Sequence, residues 1–244
     1  MGLDRKFIRE IRIDTPIPDD EYSKHIPAID YLAKGNVLEF NNNITFFVGD
    51  NGTGKSTLIE AIAIASRFNP EGGTLRHSFS THDSHSDLNQ YLTVVRQNYP
   101  SYGYFLRAES FYNVASYRYE IFKKEIKDGK IDDYHTMSHG ELFMEVIQGL
   151  HKNGLYIFDE PEAALSPSKL LTMMCEINRL LDENSQFIIA THSPILMAFP
   201  GATIYQFSSN GIEKVDYTDT EHYQVTKTFL DCPERMLKYL FENN

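Results

Sequence analysis

Apolar and charged positions alternate from Phe7 to Ile13 (FIREIRI), the period of a strand with one buried face. The following TPIPDDEYSKHIP is interrupted by prolines and reads as a loop. NVLEF and ITFFVG predict two more strands, joined by the Asn41-Asn42-Asn43 turn. From Ser56 to Phe68 apolar residues occupy nearly every side of a helical wheel, which predicts a helix buried over most of its surface. Gly72 to Asn89 is polar and rich in Ser and His, the composition of a loop, while LTVVRQ and YFLRAESF are strand-like. Tyr112 to Asp133 carries mixed charge and predicts an exposed helical lobe with a turn at Gly129.

The alternation resumes at Gly140. Leu142, Phe143, Val146, Ile147 and Leu150 make a helical stripe, and Leu155 to Phe158 a short buried strand. Ser166-Pro167 supplies an N-cap and a first-turn proline for the next helix, and QFIIAT is another buried strand. TIYQF and IEKVDY, separated by SSNG, predict a hairpin with Asn210-Gly211 as its turn signal. In PERMLKYLF, Met236, Leu237, Leu240 and Phe241 share one helical face. Strands alternating with helices imply an α/β fold, a mixed and mostly parallel sheet flanked by helices, with antiparallel additions from the opening strands and the closing hairpin. One domain, 1–244, is expected, with a helical lobe inserted at 71–137.

Composition narrows the class. With 41% hydrophobic and 23% charged residues the chain matches an ordinary globular protein, and its apolar runs fall short of the roughly 18 residues of a membrane span. MGLDRKFIREIRID lacks the apolar core of a secretory signal, so a cytoplasmic protein without membrane insertion is expected. Cys175 and Cys232 have no metal-type spacing and suit a reducing compartment. A net charge of −11 repels nucleic acid over most of the surface, so any DNA contact would need a local groove or a partner.

Four short stretches carry candidate chemistry. GDNGTGKST, Gly49 to Thr57, follows an apolar strand and opens a helix, the context a phosphate-binding loop demands. Gly49, Asn51, Gly52, Thr53, Gly54 and Thr57 would wrap backbone N–H groups around ATP phosphates, Lys55 would reach the β and γ phosphates, and the Ser56 hydroxyl would ligate Mg²⁺. LYIFDEP ends a strand in two carboxylates: Asp159 would complete the Mg²⁺ shell, and Glu160 would polarise the attacking water. In MSHGELF, Ser138 and Gly140 form a second anion-binding arrangement at a helix start. One nucleotide needs no second phosphate site on the same chain, so these residues would serve the nucleotide of a second copy. A plain N-cap Ser138 with Glu141 as its capping-box partner is the other reading. In IIATHSP, His192 ends a buried strand where its ring could meet a γ phosphate or the water. His77, His82 and His85 lack the companions of a metal site.

The order of phosphate loop, S-x-G-E, FDEPEAALSP and ATHSP resembles the ABC-type P-loop ATPases, and within them the SMC/RecF-like branch in a compact form. The resemblance spans residues 44 to about 200. It implies Walker A at Gly49–Thr57, a signature at Met137–Glu141, Walker B at Asp159 and Glu160, a D-loop at Ala164–Ser166 and a switch at His192. His139-Gly140 stands where the family usually has two glycines, and only Leu58 to Thr136 separate Walker A from the signature, too few for a coiled coil. Glu109 is the preferred Q-loop residue and metal contact, with Gln97 the alternative. The resemblance implies an ATPase that clamps two copies around two ATP molecules and acts on DNA or a partner such as a nuclease, in DNA repair or anti-phage defence. The ATP-driving subunit of a membrane transporter is the alternative.

Overall fold

A computed structural model describes residues 6–75, 87–108 and 139–242. Strand β1 (Ile8–Ile13) leads to helix α1 (Pro27–Ala33), the two-residue β2 (Leu38–Glu39) and β3 (Ile44–Gly49), which feeds α2 (Lys55–Ala65). β4 (Gly73–Thr74), β5 (Leu92–Arg96) and β6 (Tyr102–Arg107) follow. Then come α3 (His139–Gln148), β7 (Gly154–Asp159), α4 (Pro167–Asp182), β8 (Gln186–Ala190) and the single turn α5 (Pro194–Met197). The hairpin of β9 (Thr203–Ser208) and β10 (Gly211–Val215) precedes α6 (Glu221–Asp231) and α7 (Pro233–Glu242).

Among the described residues the strands form two sheets. The main one has the order β10-β9-β3-β8-β7-β6-β4, parallel from β9 to β6 and antiparallel at both edges. Its central strands β3, β7 and β8 are buried at every position, because helices cover both faces, and their sequences are accordingly near-continuous apolar runs. The smaller sheet, β2-β1-β5, is antiparallel and packs with α1 and α2 over one face, where Ile8, Ile11, Leu58, Ile62, Phe47 and Ile188 share a core. On the other face, Phe46, Phe158 and Phe187 pack under Leu142, Phe143 and Ile147 of α3 and Met173 and Ile177 of α4.

Several local expectations change once the chain is folded. The proline-rich loop holds a 3-10 turn at Tyr22–His25, and α1 begins at the loop's last residue, Pro27, where the missing N–H is no loss. β2 and β3 do not pair with each other: the asparagine turn carries the chain from the small sheet to the main one. The polar stretch after Gly72 contributes β4, paired with β6. Residues 73–107, assigned to the inserted lobe on sequence, therefore supply strands to both sheets; the rest of the lobe, 109–137, lies outside the described residues, as do His77, His82 and His85. The hairpin turns through Ser209-Asn210, with Ser208 opposite Gly211. Leu237, Leu240 and Phe241 of α7 stay exposed, so that apolar stripe is not core. Among the described residues no helix is long and apolar enough to cross a membrane.

Candidate functional site

In a parallel sheet the carboxyl ends of the strands share one edge, and that edge collects the sequence candidates. Gly49 ends β3 at a backbone φ of 127°, and a Cβ there would lie 2.1 Å from the Phe207 carbonyl oxygen on β9, so only glycine lets the loop leave the sheet at this point. Along the loop, Asn51 and Gly52 are exposed at the crest, Thr53, Gly54 and Lys55 are buried, and Ser56 and Thr57 are partly buried in the first turn of α2. The Thr53 hydroxyl donates to the Asp50 carbonyl (2.7 Å), which tightens the loop. The Lys55 ammonium donates to the Gly49 and Asp50 carbonyls (2.6 and 2.8 Å) and so lies folded under the loop. Burial pulls its pKa below the usual lysine value, against the opposing pull of Glu160, Asp159, Asp50 and Glu162.

Asp159 ends β7 two strands away from β3, with β8 between them. The Ser56 hydroxyl donates to its Oδ1 at 3.0 Å, joining residues 103 positions apart. Behind this pair stand two residues that sequence reading did not single out. Arg107, in register with Asp159 on β6, bonds the Glu60 carboxylate of α2 and brings its Nε to 3.9 Å from Asp159 Oδ2. A hydroxyl and a carboxylate converging in this way match the few oxygen ligands a protein gives Mg²⁺, which keeps waters and substrate phosphates for the rest. Among the described residues no cluster of three His, Cys, Asp or Glu side chains competes as a metal site.

The next residue is strained. Glu160 adopts φ 51° and ψ 52°, the left-handed region that a non-glycine residue occupies at a free-energy cost of about 1–3 kcal/mol. Its N–H bonds the Ala190 carbonyl at the end of β8, and its Oε1 stands 3.4 Å from His192 Nε2. That His192 nitrogen is buried and makes no hydrogen bond among the described residues. Two more unforeseen residues hold His192 from behind. Glu162 Oε1 accepts from the His192 backbone N–H (2.5 Å), and His222 of α6 places its Nε2 2.9 Å from His192 Nδ1. No local pattern marks Glu60, Arg107, Glu162 or His222, because each meets its partner only across the fold.

Glu162 is mostly buried, and burial raises its carboxyl pKa despite the bonds it accepts. For an acid whose folded pKa lies above its unfolded one, the fold is weakened by ionisation: the cost is absent below the ordinary carboxyl range and fully present above the raised pKa. Glu162→Gln keeps an acceptor for the His192 N–H and cannot ionise. Its melting temperature should match the wild type at acid pH and exceed it at neutral pH, by a few degrees. Thermal melts of both proteins across pH check this; a deficit that grows with pH would show that the ionised carboxylate is favoured instead.

The remaining candidates divide. Gly140, in the first turn of α3, lies against the turn after Glu160: a Cβ would come within 3.0 Å of the Ala164 carbonyl and 3.1 Å of Lys169 Nζ. α3 packs on the opposite face of the sheet from α2, so Gly140 does not join its own chain's phosphate loop. Ser166 caps α4, its hydroxyl accepting from the Lys169 N–H. Ser138 and Glu109 lie outside the described residues. Gln97 is exposed, and its N–H bonds Phe7, whose own N–H bonds Gln186 at the start of β8. It thus stands at the amino-terminal edge of the sheet, opposite the phosphate loop, and is removed as the Q-loop alternative.

A family model described as an AAA domain matches residues 28–189. The solved structure of cbiO1 from Clostridium perfringens, described as part of the ABC transporter complex cbiONQ, aligns with a TM-score of 0.52 at 15% identity, covering 98% of this chain and 100% of that one. An inward-facing metal-chelate type ABC transporter aligns with a TM-score of 0.45 at 14% identity, covering 78% and 79%. No curated protein matches. The architecture is the P-loop NTPase fold of ABC ATPases.

Proposed function

This chain belongs to the AAA domain family, and we propose that it is an ABC-type ATPase of the SMC/RecF-like branch, which closes head-to-tail with a second copy around Mg-ATP. The observation that carries the reading is the Ser56 to Asp159 bond with Lys55, Glu160 and His192 at the same sheet edge, while Gly140 faces away from it. Lys55 would turn from the loop carbonyls to the β and γ phosphates, exchanging two neutral acceptors for an anion. Ser56 and Asp159 would hold Mg²⁺, which neutralises phosphate charge in a site already lined by Asp159, Glu160 and Glu162. Glu160 would take the proton of the attacking water, and His192 Nε2 would orient that water or the γ phosphate. Positioning and charge stabilisation supply the acceleration, because phosphoryl transfer leaves little covalent work to the protein.

The dimer rests on the two faces of the sheet. A chain that cannot turn its own α3 onto its own phosphate loop can offer Ser138 and Gly140 to a partner's nucleotide, and closure would then be read by the adjoining Ala164–Ser166 turn. We assign the output to DNA or to a partner protein such as a nuclease, in DNA repair or anti-phage defence, with DNA contact confined to a local groove by the charge of −11. Likeness to transporter ATPases at 15% identity is a likeness of fold and assigns no permease. Sedimentation of Glu160→Gln tests the clamp, since blocked hydrolysis should trap it: a monomer that becomes a dimer only with Mg-ATP is expected, and an unchanged mass with ATP bound would remove the clamp for this chain.

A further inference from the structure

We propose that His222, on α6, is a positioning residue of the nucleotide site that holds His192 in the one neutral tautomer able to offer an N–H to Glu160 and the reacting phosphate. The proposal rests on the ATPase reading above.

The geometry runs outward from Glu160. His192 Nε2 faces Glu160 Oε1 at 3.4 Å, and His192 Nδ1 faces His222 Nε2 at 2.9 Å, with the two ring centroids 5.1 Å apart. A neutral imidazole carries one proton, and two arrangements can satisfy the short contact. If His192 donates from Nδ1, its Nε2 lone pair points at a carboxylate oxygen, and two acceptors oppose each other. If His222 donates from Nε2, His192 accepts at Nδ1 and keeps its proton on Nε2, facing the carboxylate. The second arrangement is the one electrostatics favours. Burial, and after it the charge of the Lys55 ammonium, push the His222 pKa below the usual histidine value, which favours the neutral ring that the donating arrangement needs.

The rest of α6 is built to keep that ring in place. Buried Thr220 caps the helix: its hydroxyl accepts from the Tyr223 N–H (3.4 Å) and donates to the Tyr217 carbonyl (2.8 Å). Tyr217 and Tyr223 pack with centroids 4.6 Å apart, and α6 rests on α5, the turn that follows His192. His222 therefore projects from a capped first turn, while Glu162 fixes the His192 backbone from below. The logic is that of a ligating or catalytic histidine whose far nitrogen is oriented by an outer partner, whose loss typically lowers function about 10–100-fold. It also makes the segment beyond β10 part of the site, although the phosphate loop, Asp159 and His192 all precede it.

The test pairs kinetics with spectroscopy on the full chain. His222→Phe keeps the ring and removes the donor; His222→Gln supplies an amide N–H at a comparable reach. With Mg-ATP, His222→Phe should lower kcat about tenfold or more while KM stays within about threefold, and His222→Gln should recover most of the loss. Long-range ¹H–¹⁵N spectra of the imidazoles should show His192 protonated at Nε2 in the wild type and in His222→Gln, and a tautomer mixture in His222→Phe. Unchanged kcat in His222→Phe, equal losses in both variants, or a His192 protonated at Nδ1 in the wild type would each overturn the proposal. If the wild-type protein hydrolyses no ATP, the ATPase reading fails, and the imidazole spectra alone still decide the role of His222.

Discussion

Replacing Lys55 with methionine should lower ATP affinity by on the order of 100-fold or more, with the folded state retained. The ammonium is the one lysine buried at the phosphate edge among the described residues, 4% exposed, and its bonds to Gly49 and Asp50 show that it reaches the floor of the loop. Truncating one partner of a buried, hydrogen-bonded charge pair typically costs 2–5 kcal/mol, and each 1.4 kcal/mol is a factor of ten. Methionine keeps the aliphatic stem that packs in the cleft and removes the charge, which burial already disfavours. Equilibrium binding of a fluorescent ATP analogue reads the loss, and circular dichroism reads the fold. Affinity within a few-fold of the wild type would mean that the loop carries the phosphates on its backbone alone.

Glu160→Gln should separate binding from turnover. The amide keeps the size of the side chain and can still hydrogen-bond a water, but it accepts no proton, so ATP affinity should hold while kcat falls about 10²–10⁴-fold. The left-handed backbone at Glu160 gives this expectation its structural basis: strain of that kind persists where the surroundings over-determine it, here through the Glu160 N–H to Ala190 bond and the rigid Pro161 that follows. Phosphate release under saturating ATP measures the fall. A variant that turns over at the wild-type rate would transfer the base to Glu162 or to a residue outside the described part of the chain.

Elements buried on both faces were legible because burial leaves a continuous apolar signature: β3, β7, β8 and α2 are such runs, and their bounds shift by three residues at most. α1 was hidden by the prolines before it, and β4 by its length, since two residues hold no period. In the site, Lys55 and Ser56 stood out because they follow a glycine-rich loop at a helix start, and Asp159, Glu160 and His192 because they end or closely follow buried strands. Glu60, Arg107, Glu162 and His222 could not stand out, since an acidic residue on a helix or a histidine in a first turn is locally unremarked.

The sequence by itself determined the local pieces: a glycine-rich loop between a buried strand and a buried helix, two carboxylates ending one strand, a histidine ending another, and a capped helix after Ser166. These depend on side-chain size, backbone freedom and periodicity over a few neighbouring residues, and such information is local. Only the tertiary structure decided that β8 lies between β3 and β7, that Ser56 therefore meets Asp159, that Gly140 faces the other side of the sheet, and that His222 closes on His192. Those contacts join residues 30 to 103 positions apart. Strand order and packing select them from many pairings that the local sequence would equally allow, because the free energy that favours one pairing belongs to the buried sheet as a whole.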